Sequence, residues 1–143
     1  MSAASRSILE TVSATAPARE SSAPTILIIE DYSDTRELLS TLLHNNGYNV
    51  VEAEDGIEGI LKAGWLYPDL ILMDISLPQV DGLTATRAIR ELEAKGENIP
   101  IVAVTAFGQL YYKKAIEAGC NELIDKPVDF DSIETVIHHY LEE

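Results

Sequence analysis

The sequence predicts an α/β fold, a doubly wound five-stranded parallel sheet with helices on both faces. Three observations predict it. Short apolar, β-branched runs recur from Thr25 onward, each followed by a stretch of helical period. The runs are apolar throughout rather than alternating, as strands covered on both faces must be. Turn pairs such as Asn46-Gly47, Asp55-Gly56 and Asp81-Gly82 separate the segments. Strands alternating with helices over a whole domain call for a parallel sheet, and right-handed crossovers restrict its topology. Five such units suit the strand order 2-1-3-4-5.

The elements follow in order. Ile26–Ile29 is the first strand. Ser33 offers an N-cap with Asp34 in the first turn, and Thr35, Leu38, Leu39, Leu42 and Leu43 follow at helical spacing. His44 suits the negative end of that helix, and Asn45-Asn46-Gly47 stops it. Asn49–Ala53 is the second strand, closed by Asp55-Gly56. A helix over about Ile57–Leu66 has Trp65 packing at its terminus. Leu70–Met73 is the third strand. A loop through Pro78 and Asp81-Gly82 leads into a helix near Leu83–Ala94. Ile101–Val104 is the fourth strand, Leu110–Ala118 a helix, and Glu122–Ile124 a short fifth strand. Cys120 follows Gly119, where a small residue fits tight helix-to-strand packing. Ile133, Val136, Ile137, Tyr140 and Leu141 mark the last helix, with His138 and His139 at its surface and Glu142 and Glu143 a solvated end.

The 143 residues are enough for one domain. Hydrophobic residues at 46% and charged residues at 24% are ordinary globular composition. Ten basic against 24 acidic residues give a net charge of −14, which argues against a nucleic-acid-binding domain and disfavours anionic membrane. A cation or a basic patch on a protein partner is the natural complement. No apolar run approaches the ~18 residues of a membrane span, and no signal core opens the chain. The single Cys120 allows no intramolecular disulfide and suits a reducing compartment. Residues 1–24 are rich in Ser, Ala and Thr, with Pro17 and Pro24, and are predicted to be a flexible tail. Within it Ile8, Leu9 and Val12 would share one apolar patch on a short helix from Ser5. Arg6 and Arg19 balance Glu10 and Glu20, so the whole −14 belongs to residues 25–143.

In such folds ligands bind beyond the carboxyl ends of the strands, at the switch point between the first and third. Glu30 and Asp31 follow the first strand and Asp74 the third. A lone acid there is an N-cap or a solvated loop residue. Three repel one another unless protonated or bound to a cation. An all-oxygen cluster selects a hard ion, and partly hydrated Mg²⁺ fits best, with Mn²⁺ a plausible substitute. The fourth strand ends in Thr105, followed by the small Ala106. The fifth leads to Lys126, followed by Pro127. Alone, Lys126 reads as a surface residue; opposite three acids it is a charge with a clear partner. Lys126-Pro127 is a candidate cis peptide.

These segments together resemble the receiver domain of bacterial two-component response regulators, the CheY-like family. The carrying motifs are Ile28-Ile29-Glu30-Asp31, the stretch Asp69 to Gly82 with Asp74, Pro78 and Asp81-Gly82, then Val104-Thr105-Ala106 and Lys126-Pro127. They span about residues 25–142. The resemblance implies a flavodoxin-like (βα)₅ sandwich, with residues 25–143 as the receiver domain. It implies that Asp74 is the phosphoacceptor, and that Asp31, Asp74 and the backbone carbonyl of Ser76 hold Mg²⁺, with Glu30 acting through a water. Lys126, Thr105 and Ala106 would meet the phosphoryl group, and Gly82 and Pro127 would be structural. The donor would be a histidine kinase or a histidine phosphotransfer protein, docking on the first helix. A downstream protein would bind the face of the fourth helix, fifth strand and fifth helix. The module would be bacterial and cytoplasmic, not an enzyme, and a monomer or a phosphorylation-dependent dimer.

The sequence departs from the family pattern at Leu123, where an aromatic residue is usual; Phe107, Tyr111 and Tyr112 lie near it in sequence. Ser76 and Phe107 occupy the variable positions that modulate phosphoryl lifetime. Phe107 either limits attacking water or packs on its own helix. Other readings compete. A receiver-like interaction module would keep the fold without the chemistry, yet the full acid set is present. An aspartyl phosphatase would carry a second acid where Ser76 stands. An FMN carrier would need a phosphate loop where Glu30 and Asp31 stand. The chain stops one turn beyond the last helix, so either no output domain is attached or the sequence is a fragment of a hybrid protein.

Overall fold

The computed structural model describes residues 23–76, 81–93 and 98–141. The helix from Ser5, Leu77–Val80, Ala94 and the terminal Glu142-Glu143 lie outside the described residues. The elements are β1 (Thr25–Ile29), α1 (Ser33–Asn45), β2 (Asn49–Ala53), α2 (Gly56–Leu66), β3 (Leu70–Asp74), α3 (Gly82–Leu92), β4 (Ile101–Thr105), α4 (Gly108–Ala118), β5 (Glu122–Asp125) and α5 (Phe130–Leu141). All strand pairs are parallel, in the order β2-β1-β3-β4-β5.

Successive residues of a strand point to opposite faces, so each strand feeds two cores. Leu27, Ile29, Ile71, Met73, Ile101 and Ala103 face one way, against Ala63 of α2, Ala85 and Ile89 of α3 and Ala115 of α4. Ile26, Ile28, Leu70, Leu72 and Val102 face the other, against Leu39 and Leu43 of α1 and Ile133 and Ile137 of α5. Burial on both faces is why β1, β3 and β4 read as unbroken apolar runs.

Several expectations need correction. Ser33 is the first helical residue, not the N-cap. Tyr32 holds that position, with no side-chain cap bond, and its carbonyl accepts from Arg36 N–H at 3.0 Å. Leu38 points outward and is exposed, so the inward face of α1 is narrower than its apolar pattern. α3 ends at Leu92, with Glu93 as its C-cap. Trp65 does not pack at the end of α2; it is 58% exposed. The cause is the close approach of α2 to β1. A Cβ on Gly59 would lie 2.5 Å from Ile29 Cδ1, so no larger residue fits where α2 crosses Ile29. The fully buried residues of the inward face are Gly56, Gly59 and Ala63, with Ile60 half-buried against the core, while Ile57, Leu61 and Trp65 turn outward. Contacts with the fold extend to Ala23 and Pro24, since Asn49 N–H donates to Pro24 O at 2.9 Å and Asn49 Nδ2 to Ala23 O at 3.0 Å.

Candidate phosphoacceptor and metal site

β1 and β3 lie side by side, pairing Ile29 with Met73, so the residue that follows each apolar run emerges at the same edge. There one carboxylate oxygen from each of Glu30, Asp31 and Asp74 falls within 4.8 Å of the others. Glu30 and Asp74 are only 3% and 4% exposed, while Asp31 is open to solvent. Asp74 Oδ1 accepts from Ser76 N–H at 2.9 Å. Glu30 Oε2 accepts from Tyr32 N–H at 3.1 Å.

Lys126 reaches across from the end of β5. Its Nζ stands 3.4 Å from Asp74 Oδ2 and 3.5 Å from Glu30 Oε1. Lys126 N–H donates to Thr105 O at 2.8 Å, and the Lys126-Pro127 peptide is cis. One cation against three acids leaves the cluster short of positive charge. Glu30 shows the consequence. Burial, then the neighbouring Asp74 charge, push its carboxyl up to about 7 from 4.5, against the opposing pull of Tyr32 N–H and Lys126. The donor set is all oxygen and partly buried, which fits a hard divalent ion.

Thr105 is fully buried, and its Oγ1 accepts from Phe107 N–H at 3.1 Å. Phe107 is the N-cap of α4, so the hydroxyl is tied to the start of that helix. Ala106 is exposed beside it. The Phe107 ring is itself mostly exposed. Gly82 opens α3 against the site strand: a Cβ there would lie 2.5 Å from Asp74 O and would overlap Ile75. Leu123 is half-buried against the core, as is Tyr111, whereas Tyr112 is exposed. Cys120 is buried near Thr86, and burial pushes its thiol up, away from reactivity. His138 sits 3.0 Å from Glu134 on the surface of α5.

Two contributors are not visible in the motifs. Arg36, one turn into α1, donates from Nη1 to Glu30 O at 2.8 Å and pairs through Nε with Glu52 at 3.0 Å. It pins the backbone where the chain leaves β1 for the acids. The available signal was Glu52, an acid inside an otherwise uncharged strand. Gly108 is the second. A Cβ there would overlap the Asp125 carboxylate and lie 2.9 Å from Leu123 Cδ2, so the first turn of α4 rests directly on β5.

An acid cluster faced by a lysine at the switch point of a 2-1-3-4-5 sheet is the arrangement expected of a receiver, a class of signalling module, and the family match agrees. The chain belongs to the response regulator receiver domain family, which it matches over residues 26–138. It is 35% identical over 117 residues to the polar-differentiation response regulator DivK of Brucella ovis, covering 81% of this chain and 94% of DivK. It is 39% identical over 111 residues to RpaA of Synechocystis, a DNA-binding transcriptional regulator, covering 77% of this chain and 46% of RpaA. The chain thus spans less than half of that relative. Among solved structures, the receiver domain of a sensor histidine kinase from Pseudomonas aeruginosa is 31% identical with a TM-score of 0.77, covering 85% of this chain and 99% of that one. That domain holds a magnesium ion in its active-site cleft. Among the described residues no helix is long and apolar enough to cross a membrane.

Proposed function

We propose that the chain is a phosphorylation-competent receiver that takes a phosphoryl group onto Asp74 from a phosphohistidine donor, a histidine kinase or a histidine phosphotransfer protein. The observation that supports this most is the pairing of a buried Asp74 with Lys126 Nζ at 3.4 Å inside a three-acid cluster. An Asp74 carboxylate oxygen attacks phosphorus, the P–N bond to the donor breaks, and the donor imidazole leaves neutral with its remaining proton. Asp31, Asp74 and the Ser76 carbonyl would hold Mg²⁺, with Glu30 through a water. The ion, when bound, supplies the positive charge that phosphoryl transfer needs. Lys126 binds a phosphoryl oxygen and keeps the product acyl phosphate paired. The Ser76 N–H orients Asp74 beforehand.

The switch follows from the Thr105 contact. Phosphorylation adds charge and acceptor oxygens beside a buried hydroxyl that currently accepts from Phe107 N–H. Turning Thr105 to donate to the phosphoryl group releases that N–H and biases the first turn of α4. Because Gly108 rests on β5 at Leu123 and Asp125, the bias passes to the α4–β5–α5 face without an aromatic rotamer. That face is where a downstream protein, or a second phosphorylated copy, would bind. The setting would be the bacterial cytoplasm.

Intact mass after incubation with acetyl phosphate, with and without Mg²⁺, tests the reading. A gain of one phosphoryl group that needs both Mg²⁺ and Asp74, with Asp74→Asn as control, is expected. No gain in a folded protein overturns it in favour of a phosphorylation-independent interaction module.

A further inference from the structure

α2 carries its apolar bulk on the wrong side for a core. Ile57, Leu61 and Trp65, spaced at i, i+4 and i+8, are 49%, 65% and 58% exposed. They form one ridge about 12 Å long. Tyr67 at the C-cap of α2 and Leu92 at the end of α3 are exposed beside it, and a Cβ on Gly64 would touch Leu92 Cδ1 at 3.8 Å. Single exposed apolar residues need no explanation, but a contiguous patch marks an interaction surface. This one lies on neither α1 nor α4–β5–α5, so the signalling reading leaves it unused.

We propose that the ridge is the docking face of the chain's own N-terminal segment, with Ile8, Leu9 and Val12 of residues 5–12 laid against Leu61 and Trp65. Three observations carry this. The first is where the segment joins the fold. Thr25 N–H donates to Asp69 Oδ2 at 2.8 Å, and Asp69 N–H to Thr25 O at 2.8 Å. The chain therefore enters β1 beside the short connection that leaves α2, four residues from Trp65. The second is length. Residues 13–22 span at most about 33 Å when extended, which exceeds the ridge. The third is charge. The segment is neutral, with Arg6 and Arg19 against Glu10 and Glu20, whereas a second copy would bring its own −14 to the contact. Tethering supplies an effective concentration in the millimolar range, so a small apolar contact suffices.

Trp65 is the only tryptophan, so its fluorescence reads the ridge directly. The test compares acrylamide quenching of the full chain with that of the full-length Ile8→Ser, Leu9→Ser, Val12→Ser variant, over a range of protein concentrations. None of the substituted residues belongs to the described fold, and circular dichroism checks that it is intact. Quenching that rises roughly twofold in the variant, independent of protein concentration, is the expected result. A Leu61→Ser chain should quench like the variant, and adding the three serines to it should change nothing more. Equal quenching of the unmodified chain and the triple variant overturns the proposal, because the ridge is then open. Protection that grows with protein concentration and survives the triple substitution also overturns it, because a second copy is then the occupant.

Discussion

The two edges of the same sheet are built on opposite principles. At the amino-terminal edge, backbone N–H groups find side-chain acceptors within the chain, although the buried Thr25 hydroxyl has no partner among the described residues. Asp69 takes the Thr25 N–H, Asn121 Oδ1 takes both Ile101 N–H and Arg90 Nη2 at 2.9 Å, and Glu93 takes Ile99 N–H at 2.7 Å. At the carboxyl-terminal edge Glu30, Asp31 and Asp74 face one another, and Lys126 stands 3.4–3.5 Å from two of them. The first edge closes the fold. The second leaves like charges unbalanced, which costs stability in the free protein and, on the proposed function, is relieved when a cation binds. Stability and function are therefore separable by edge, and substitutions can test the separation.

The largest effect is expected at Asp74. Asp74→Asn should abolish phosphoryl incorporation in the intact-mass assay. It should also raise the melting temperature without Mg²⁺, because Glu30 loses the charge that helps to push its pKa up. A lower melting temperature would mean that the acid edge holds the fold together. Asn121→Ala is the mirror experiment. It leaves the Ile101 N–H without its acceptor, and urea unfolding should show a loss of about 1–3 kcal/mol. Phosphoryl incorporation should be unchanged, and a parallel loss would break the separation.

Glu30 sharpens the comparison through pH. Its carboxyl keeps its proton to about 7 in the folded chain but only to about 4.5 when unfolded. Between those values the folded state holds more protons, so this group's contribution to stability falls as pH rises and then levels off. Melting curves without Mg²⁺ should show that fall from pH 5 to pH 7.5. Glu30→Gln should flatten it, and saturating Mg²⁺ should reverse it, since the ion binds the ionised site.

Much of this was readable in the residues. β1 and β3 are legible because strands buried on both faces cannot hide polar residues, and the site is legible because its acids directly follow those runs. What was not legible depends on contacts between elements. Ser33 has the better capping side chain, yet Tyr32 takes the N-cap, where its N–H is satisfied by Glu30 Oε2 at 3.1 Å. Trp65 looks like a core residue by its chemistry, but the close approach at Gly59, where a Cβ would lie 2.5 Å from Ile29 Cδ1, decides which face of α2 turns inward. Arg36 is invisible to pattern because its role needs the β1–β2 register that sets Glu52 opposite Ile28.

Arg36 is also the subject of the smallest prediction. It contacts no candidate ligand oxygen; it holds the Glu30 carbonyl and is itself held by Glu52. Losing it frees the backbone that aims Glu30 and Asp31, and outer contacts of this kind tune metal affinity. Arg36→Gln should therefore weaken Mg²⁺ binding by roughly tenfold in titration calorimetry while still allowing phosphorylation at saturating Mg²⁺. Arg36→Lys keeps a donor but not the two-sided fork, so it should recover only part of the loss. Urea midpoints of both variants without Mg²⁺ separate positioning from folding. If affinity falls only in step with stability, Arg36 belongs to the fold and the acid edge needs no support from α1. If affinity falls while stability holds, the charge imbalance at that edge is kept in place by a residue that never touches the ion.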